Sequence, residues 1–126
     1  MEIFIKILIG IISLIHILFL IVQMFLWHTD FVQKRMVGNF NSQEIAAILA
    51  RNQGLYNGFL ATGLIWGLFV SQTSIQVEPT GILIFFLICV AIAGIYGSIS
   101  LKRPTAFLMQ SLPAILALVL LGLLKV

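Results

Sequence analysis

Charge is scarce in this chain. Only 9% of its 126 residues are Asp, Glu, Lys or Arg, where ordinary soluble domains carry about 25%. Hydrophobic residues make up 61%, and a domain this short has too little interior to hide them. That imbalance excludes a soluble enzyme, a disordered tail and a nucleic-acid module, and makes lipid the expected solvent. Cys89 is the single cysteine, so an internal disulfide, a CxxC redox pair and a thiolate metal site are excluded too. No run of basic residues approaches a nucleic-acid patch or a polybasic lipid-binding cluster. Gly-rich phosphate loops are missing, as is any serine or cysteine beside an obvious base.

What the sequence has instead is long apolar runs. A membrane helix needs about 20 apolar residues, since about 1.5 Å of rise per residue must cross about 30 Å. Four segments reach that length, at about 3–27, 46–70, 81–100 and 105–124. The expected fold is all-α: one domain over 1–126, a polytopic membrane protein built as a four-helix transmembrane bundle. The first run is longer than a signal h-region and no small-residue cleavage site follows it, so it is expected to stay attached as an anchor. Gly38, Asn39 and Asn41 are turn formers in the longest connection. Asn41 and Glu44 have capping-box spacing, which would start the second helix near Ser42, ahead of the membrane. Lys102-Arg103-Pro104 forms a very short turn before the last run.

Basic residues set the expected orientation. Lys34, Arg35, Arg51, Lys102 and Arg103 fall on one side of a four-span chain; only Lys6 and Lys125 fall on the other. Both termini are therefore expected outside the cell membrane, with the two basic connections in the cytoplasm.

The polar residues within the runs are not scattered. Gln23 lies about 6 Å inside Trp27, and Asn52, Gln53, Tyr56 and Asn57 lie within about 9 Å of Arg51. Tyr96 and Gln110 each sit about 9 Å from the Lys102–Pro104 turn. All four runs thus bring hydrogen-bonding groups to one level, in the cytoplasmic half. His16 is deeper, and its seven-residue spacing from Gln23 puts both on one helix face. These residues, with Trp27 at the interface, are the candidate ligand-binding set. Gly54 and Gly58, then Gly63 and Gly67, have the small-xxx-small spacing that lets helices approach closely. Pro113 removes a backbone donor and partly frees the Met109 carbonyl.

Acidic groups are confined to ends and connections: Glu2, Asp30, Glu44 and Glu78. An intramembrane carboxylate, common in proton-coupled pumps and in acid–base catalysis, is therefore missing. His16 and His28 are about 18 Å apart along a helix, so no metal site is expected, and no cofactor is implied.

The run Asn52-Gln53-Gly54-Leu55-Tyr56-Asn57-Gly58-Phe59-Leu60-Ala61 resembles a group of small bacterial four-helix integral membrane proteins, catalogued as a domain of unknown function. His16, Met24-Phe25-Leu26-Trp27, Ala93-Gly94-Ile95-Tyr96-Gly97, Gln110 and Pro113-Ala114 extend the resemblance over nearly the whole chain. Members are sometimes labelled epimerases. The resemblance implies a shared site built from the polar layer and names no ligand. The position before Met-Phe-Leu-Trp is usually Glu in that pattern and is Gln23 here, an amide that cannot take or release a proton.

Three functions are compatible with these residues. The leading one is binding or transport of a lipophilic or amphipathic small molecule through a polar pocket in the cytoplasmic half of the bilayer. The second is a membrane-embedded isomerase or epimerase, with His16 and Tyr56 or Tyr96 transferring protons. The third is a structural subunit whose polar layer locks the helices together. Membrane lipids are the expected partners, nucleic acid is not, and a homo-oligomer is left open.

Overall fold

A computed structural model describes residues 2–34, 43–70 and 77–124. Among them the chain is helical throughout, without strands: α1 (Glu2–Met24), α2 (Asp30–Val32), α3 (Gln43–Phe69), α4 (Pro79–Leu101) and α5 (Leu112–Leu124). A π-helical turn, Phe107–Ser111, leads into α5. The turn formers Gly38, Asn39 and Asn41, the Asn41 cap, Ser42, Arg35 and Lys125 lie outside the described residues.

Three helical stretches are long and apolar enough to cross a membrane: Glu2–Met24, Pro79–Leu101 and Phe107–Leu124. Only between 22% and 33% of the most apolar part of each is buried inside the chain. Their outer faces carry Phe4, Ile11, Leu18, Phe85, Ile92 and Leu116, all exposed, which is apolar surface on a scale that water does not tolerate in a monomer. α3 has 27 residues, yet Arg51, Asn52, Gln53 and Asn57 interrupt its apolar run and it does not join the other three.

α1 packs mainly on α3 and also on α5, while α4 packs on both α3 and α5. These pairings close a ring around one core of Ile5, Ile9 and Ile12 from α1, Leu64 from α3, Leu87 and Val90 from α4, and Ala114 and Ala117 from α5. Small residues on α5 let it lie close to its neighbours. Ser111 turns its hydroxyl onto the Ala91 carbonyl at 2.7 Å. A Cβ on Gly94 would come within 2.8 Å of the Ser111 nitrogen. The π-turn places Ser111 there: the Leu112 amide donates to the Phe107 carbonyl, five residues back. That wider turn comes just before Pro113, which has no amide hydrogen to continue an ordinary ladder.

The ends of α4 follow from local chemistry. Glu78 accepts from the Gly81 amide at 2.9 Å and Pro79 occupies the first turn, both standard ways to start a helix. At the other end Lys102 is left-handed (φ 52°) and the Arg103 amide donates to the Ser98 carbonyl, with Pro104 beyond to prevent continuation.

α1 stops at Met24, three residues short of the expected boundary. The chain turns there, and Trp27 folds inward instead of standing at the end of the helix. It is buried with Val32, Ala47 and Ala50 in a second, smaller core. α2, a single turn that the sequence offered only as part of a connection, supplies Val32. Gln33 holds the turn by donating from Nε2 to the Trp27 carbonyl.

Candidate functional site

The face of α1 directed at α3 carries the buried polar groups. Ser13, His16 and Gln23 are all buried, at spacings of three and seven residues that keep them on one side of a helix. Ser13 is satisfied within its own helix, donating to the Ile9 carbonyl at 2.9 Å.

His16 is fully buried. Its Nδ1 lies 2.8 Å from the Ile12 carbonyl, and since a carbonyl only accepts, Nδ1 carries the hydrogen. In the neutral ring Nε2 is then a bare acceptor. It is buried and has no hydrogen-bond partner among the described residues. Phe19 meets the ring edge-on at 6.3 Å.

Gln23 crosses to α3. Its Oε1 accepts from Asn57 Nδ2 at 2.8 Å, and the same amide donates to the Gln53 carbonyl at 3.1 Å. Gly54 makes this meeting possible. A Cβ there would lie 2.7 Å from Met24 Cγ, 3.1 Å from Gln23 Cβ and 3.3 Å from the Leu20 carbonyl oxygen. One turn on, a Cβ at Gly58 would come 2.5 Å from Leu20 Cδ1. The two glycines therefore face α1, as their spacing predicts. The oxygen of Gln23 that accepts is one that a Glu at this position would also possess.

Trp27 ends the column. Its indole Nε1 is a donor, buried and without a partner among the described residues. The interface thus holds a hydrogen-bonded amide pair, flanked by an acceptor at His16 and a donor at Trp27 that have no partner among the described residues.

The other candidates point elsewhere. Tyr56 is 63% exposed and Tyr96 72%, and the Tyr56 ring lies against Phe59 of its own helix. Asn52 and Gln53 are exposed, and Gln110 is half-buried with its Cβ close to Gly94. Helical geometry explains the split on α3. Tyr56 and Asn57 are about 100° apart around the axis, so when Asn57 turns to α1 at the edge of the buried face, Tyr56 turns outward. The structure brings together Gln23, Asn57 and the backbone of Gln53; it does not bring Tyr96 or Gln110 to them. Ser111 is a buried polar residue that motif reading passed over; the local signal is a small hydroxyl two residues before Pro113. Among the described residues no cluster of His, Cys, Asp or Glu could hold a metal ion.

Comparison with known proteins places the chain in a family. The chain belongs to the family described as "Protein of unknown function (DUF1304)", which matches residues 10–122. It is similar to "Uncharacterized protein YpaA" of Lactococcus lactis subsp. lactis (strain IL1403), with 41% identity over 71 residues. That match covers 56% of this chain and 55% of the relative, so the chain spans about half of that protein's length. No solved structure matches the chain.

Proposed function

Starting from membership of that family, we propose that the protein is a multi-pass protein of the cell membrane that binds a small amphipathic molecule at the α1–α3 interface. One observation carries the reading. Two buried nitrogens, His16 Nε2 and Trp27 Nε1, flank the Gln23–Asn57 pair without a partner among the described residues. An unsatisfied polar group in an apolar medium costs up to several kcal/mol. A molecule offering a donor to His16 or an acceptor to Trp27, with an apolar body, would relieve that cost and stay at home in lipid.

In this reading α3 is the fourth span. Its first residues, up to Arg51, stand in the headgroup layer, and Asn52 to Phe69 covers about 27 Å at about 1.5 Å per residue, close to the hydrocarbon thickness. A polar stretch at one end of a span is tolerable where it is buried against protein or lies near the headgroups. The basic residues Lys34, Arg51, Lys102 and Arg103, all exposed, mark the cytoplasmic side.

A structural role is the second reading, and the direct Gln23–Asn57 bond favours it, because amides that bond each other across the interface need no ligand to join them. Mass spectrometry of small molecules that stay with the protein through mild extraction separates the two. Binding predicts a retained molecule that is lost from His16→Leu and Trp27→Phe, while both variants still fold and match the delipidated wild type in thermal midpoint. A structural subunit predicts no retained molecule in the wild type.

A further inference from the structure

At the opposite end of the α1–α3 pair lies a groove of about 530 Å³. Its walls are apolar residues of α1 and of the last turns of α3, including Ile17, Ile65 and Phe69, and Lys6 is its single charged residue. Gly10 forms a notch in it, with nothing within 4 Å of where a Cβ would stand. Ser13 adds no free donor to the floor, since its hydroxyl is bonded to the Ile9 carbonyl.

We infer that this groove seats one acyl chain of an anionic phospholipid, with the headgroup phosphate held by Lys6. The inference rests on the membrane-spanning reading but not on the polar site at His16 and Trp27. Three properties point to this occupant. From Lys6 to Ile17 is eleven residues, about 16 Å of helix, which matches half of a hydrocarbon core about 30 Å thick. One leaflet's acyl chain has that reach. The volume lies within the range of about 300–1,000 Å³ typical of ligand sites. Finally, Lys6 is exposed, one turn inside the start of α1 at Glu2, where a long cationic side chain extends to the headgroup level. Glu2 occupies the same face but lies outside the groove lining.

The test uses the full chain reconstituted in vesicles of equal parts phosphatidylglycerol and phosphatidylcholine with identical acyl chains. Resistance of the protein to alkaline extraction establishes membrane integration first, so failure of that reading is seen apart from failure of the groove. Native mass spectrometry then counts retained lipids. One phosphatidylglycerol per chain is expected in preference to phosphatidylcholine. Lys6→Gln should lower that preference about five-fold, the worth of one lysine near an anionic surface. Gly10→Leu, whose Cβ would have nothing within 4 Å and whose side chain would occupy the groove, should lower retention of both lipids. Gly122→Leu, equally free of neighbours within 4 Å, and Lys102→Gln, outside the groove, should change neither. Equal retention of the two lipids by the wild type overturns the inference, as does full retention by Gly10→Leu. Dissociation of a dimer by Gly10→Leu without loss of lipid would assign the groove to a second copy of the chain and overturns it too.

Discussion

Asn57 spends its amide twice, on Gln23 across the interface and on the Gln53 carbonyl in its own helix. Asn57→Leu removes the donor and strands Gln23 Oε1 in an apolar contact, at a cost of about 1–3 kcal/mol. A double-mutant cycle with Gln23→Leu, followed by thermal unfolding in detergent, should return a coupling of about 0.6 kcal/mol, the usual worth of such a pair in a membrane bundle. A coupling of zero would mean that the two amides do not meet. Trp27→Phe tests the other end of the column. It removes a buried donor that has no partner among the described residues while keeping an aromatic ring in place. Without a bound molecule the variant should be as stable as the wild type or more so, because a desolvated donor has gone. If a ligand uses that donor, the wild type loses its added thermal stability on delipidation and the variant has none to lose. Tyr56→Phe and Tyr96→Phe alter exposed side chains and should move stability by less than about 0.5 kcal/mol.

Close approach of helices is the concern at the scale of elements. Gly54 and Gly58 let α1 lie against α3, and Gly94 lets the π-turn lie against α4. Gly54→Leu drives a side chain into Met24, Gln23 and the Leu20 carbonyl, so it should lower stability by about 1–3 kcal/mol, the common cost of overpacking. Gly94→Ala meets the backbone nitrogen of Ser111, which has little freedom to withdraw, and should also destabilise. Gly122 supplies the contrast: nothing lies within 4 Å of where its Cβ would stand, and its Leu variant should unfold at the wild-type temperature. Equal midpoints for Gly54→Leu and Gly122→Leu would show that the α1–α3 seam opens freely. The π-turn illustrates how one residue shapes an element. Pro113 was expected to free the Met109 carbonyl; the chain answers with a wider turn that also brings Ser111 onto Ala91.

For the whole molecule the decisive quantity is the distribution of seven basic residues. If α3 spans as proposed, five of them fall on one side of the chain, which would put both termini outside. A reporter that is active only in the cytoplasm should be silent when fused after Val126 and active when inserted after Lys34. The reverse pattern would invert the orientation, and activity at both sites or at neither would mean an odd number of spans, with α3 outside the bilayer.

Helical class, the three most apolar helical stretches and the depth of each polar residue along its helix were all legible in the linear sequence, because length and hydropathy are properties of a run. The glycine seam was legible too, since a missing Cβ at four-residue spacing has meaning wherever helices touch. What the tertiary structure alone decided was direction. In a soluble protein an apolar stripe shows which face of a helix is inside; α4 and α5 are apolar nearly all round, so no such stripe marks their core faces. Gln23 and Asn57 turned inward and Tyr56 and Tyr96 outward for reasons of packing between helices, and Trp27 left its helix to be covered by a turn whose three residues carry no periodicity. Residues that share a depth in the membrane share a site only when their helices are rotated to face one another, and that rotation is set by which small residues find each other across the seam.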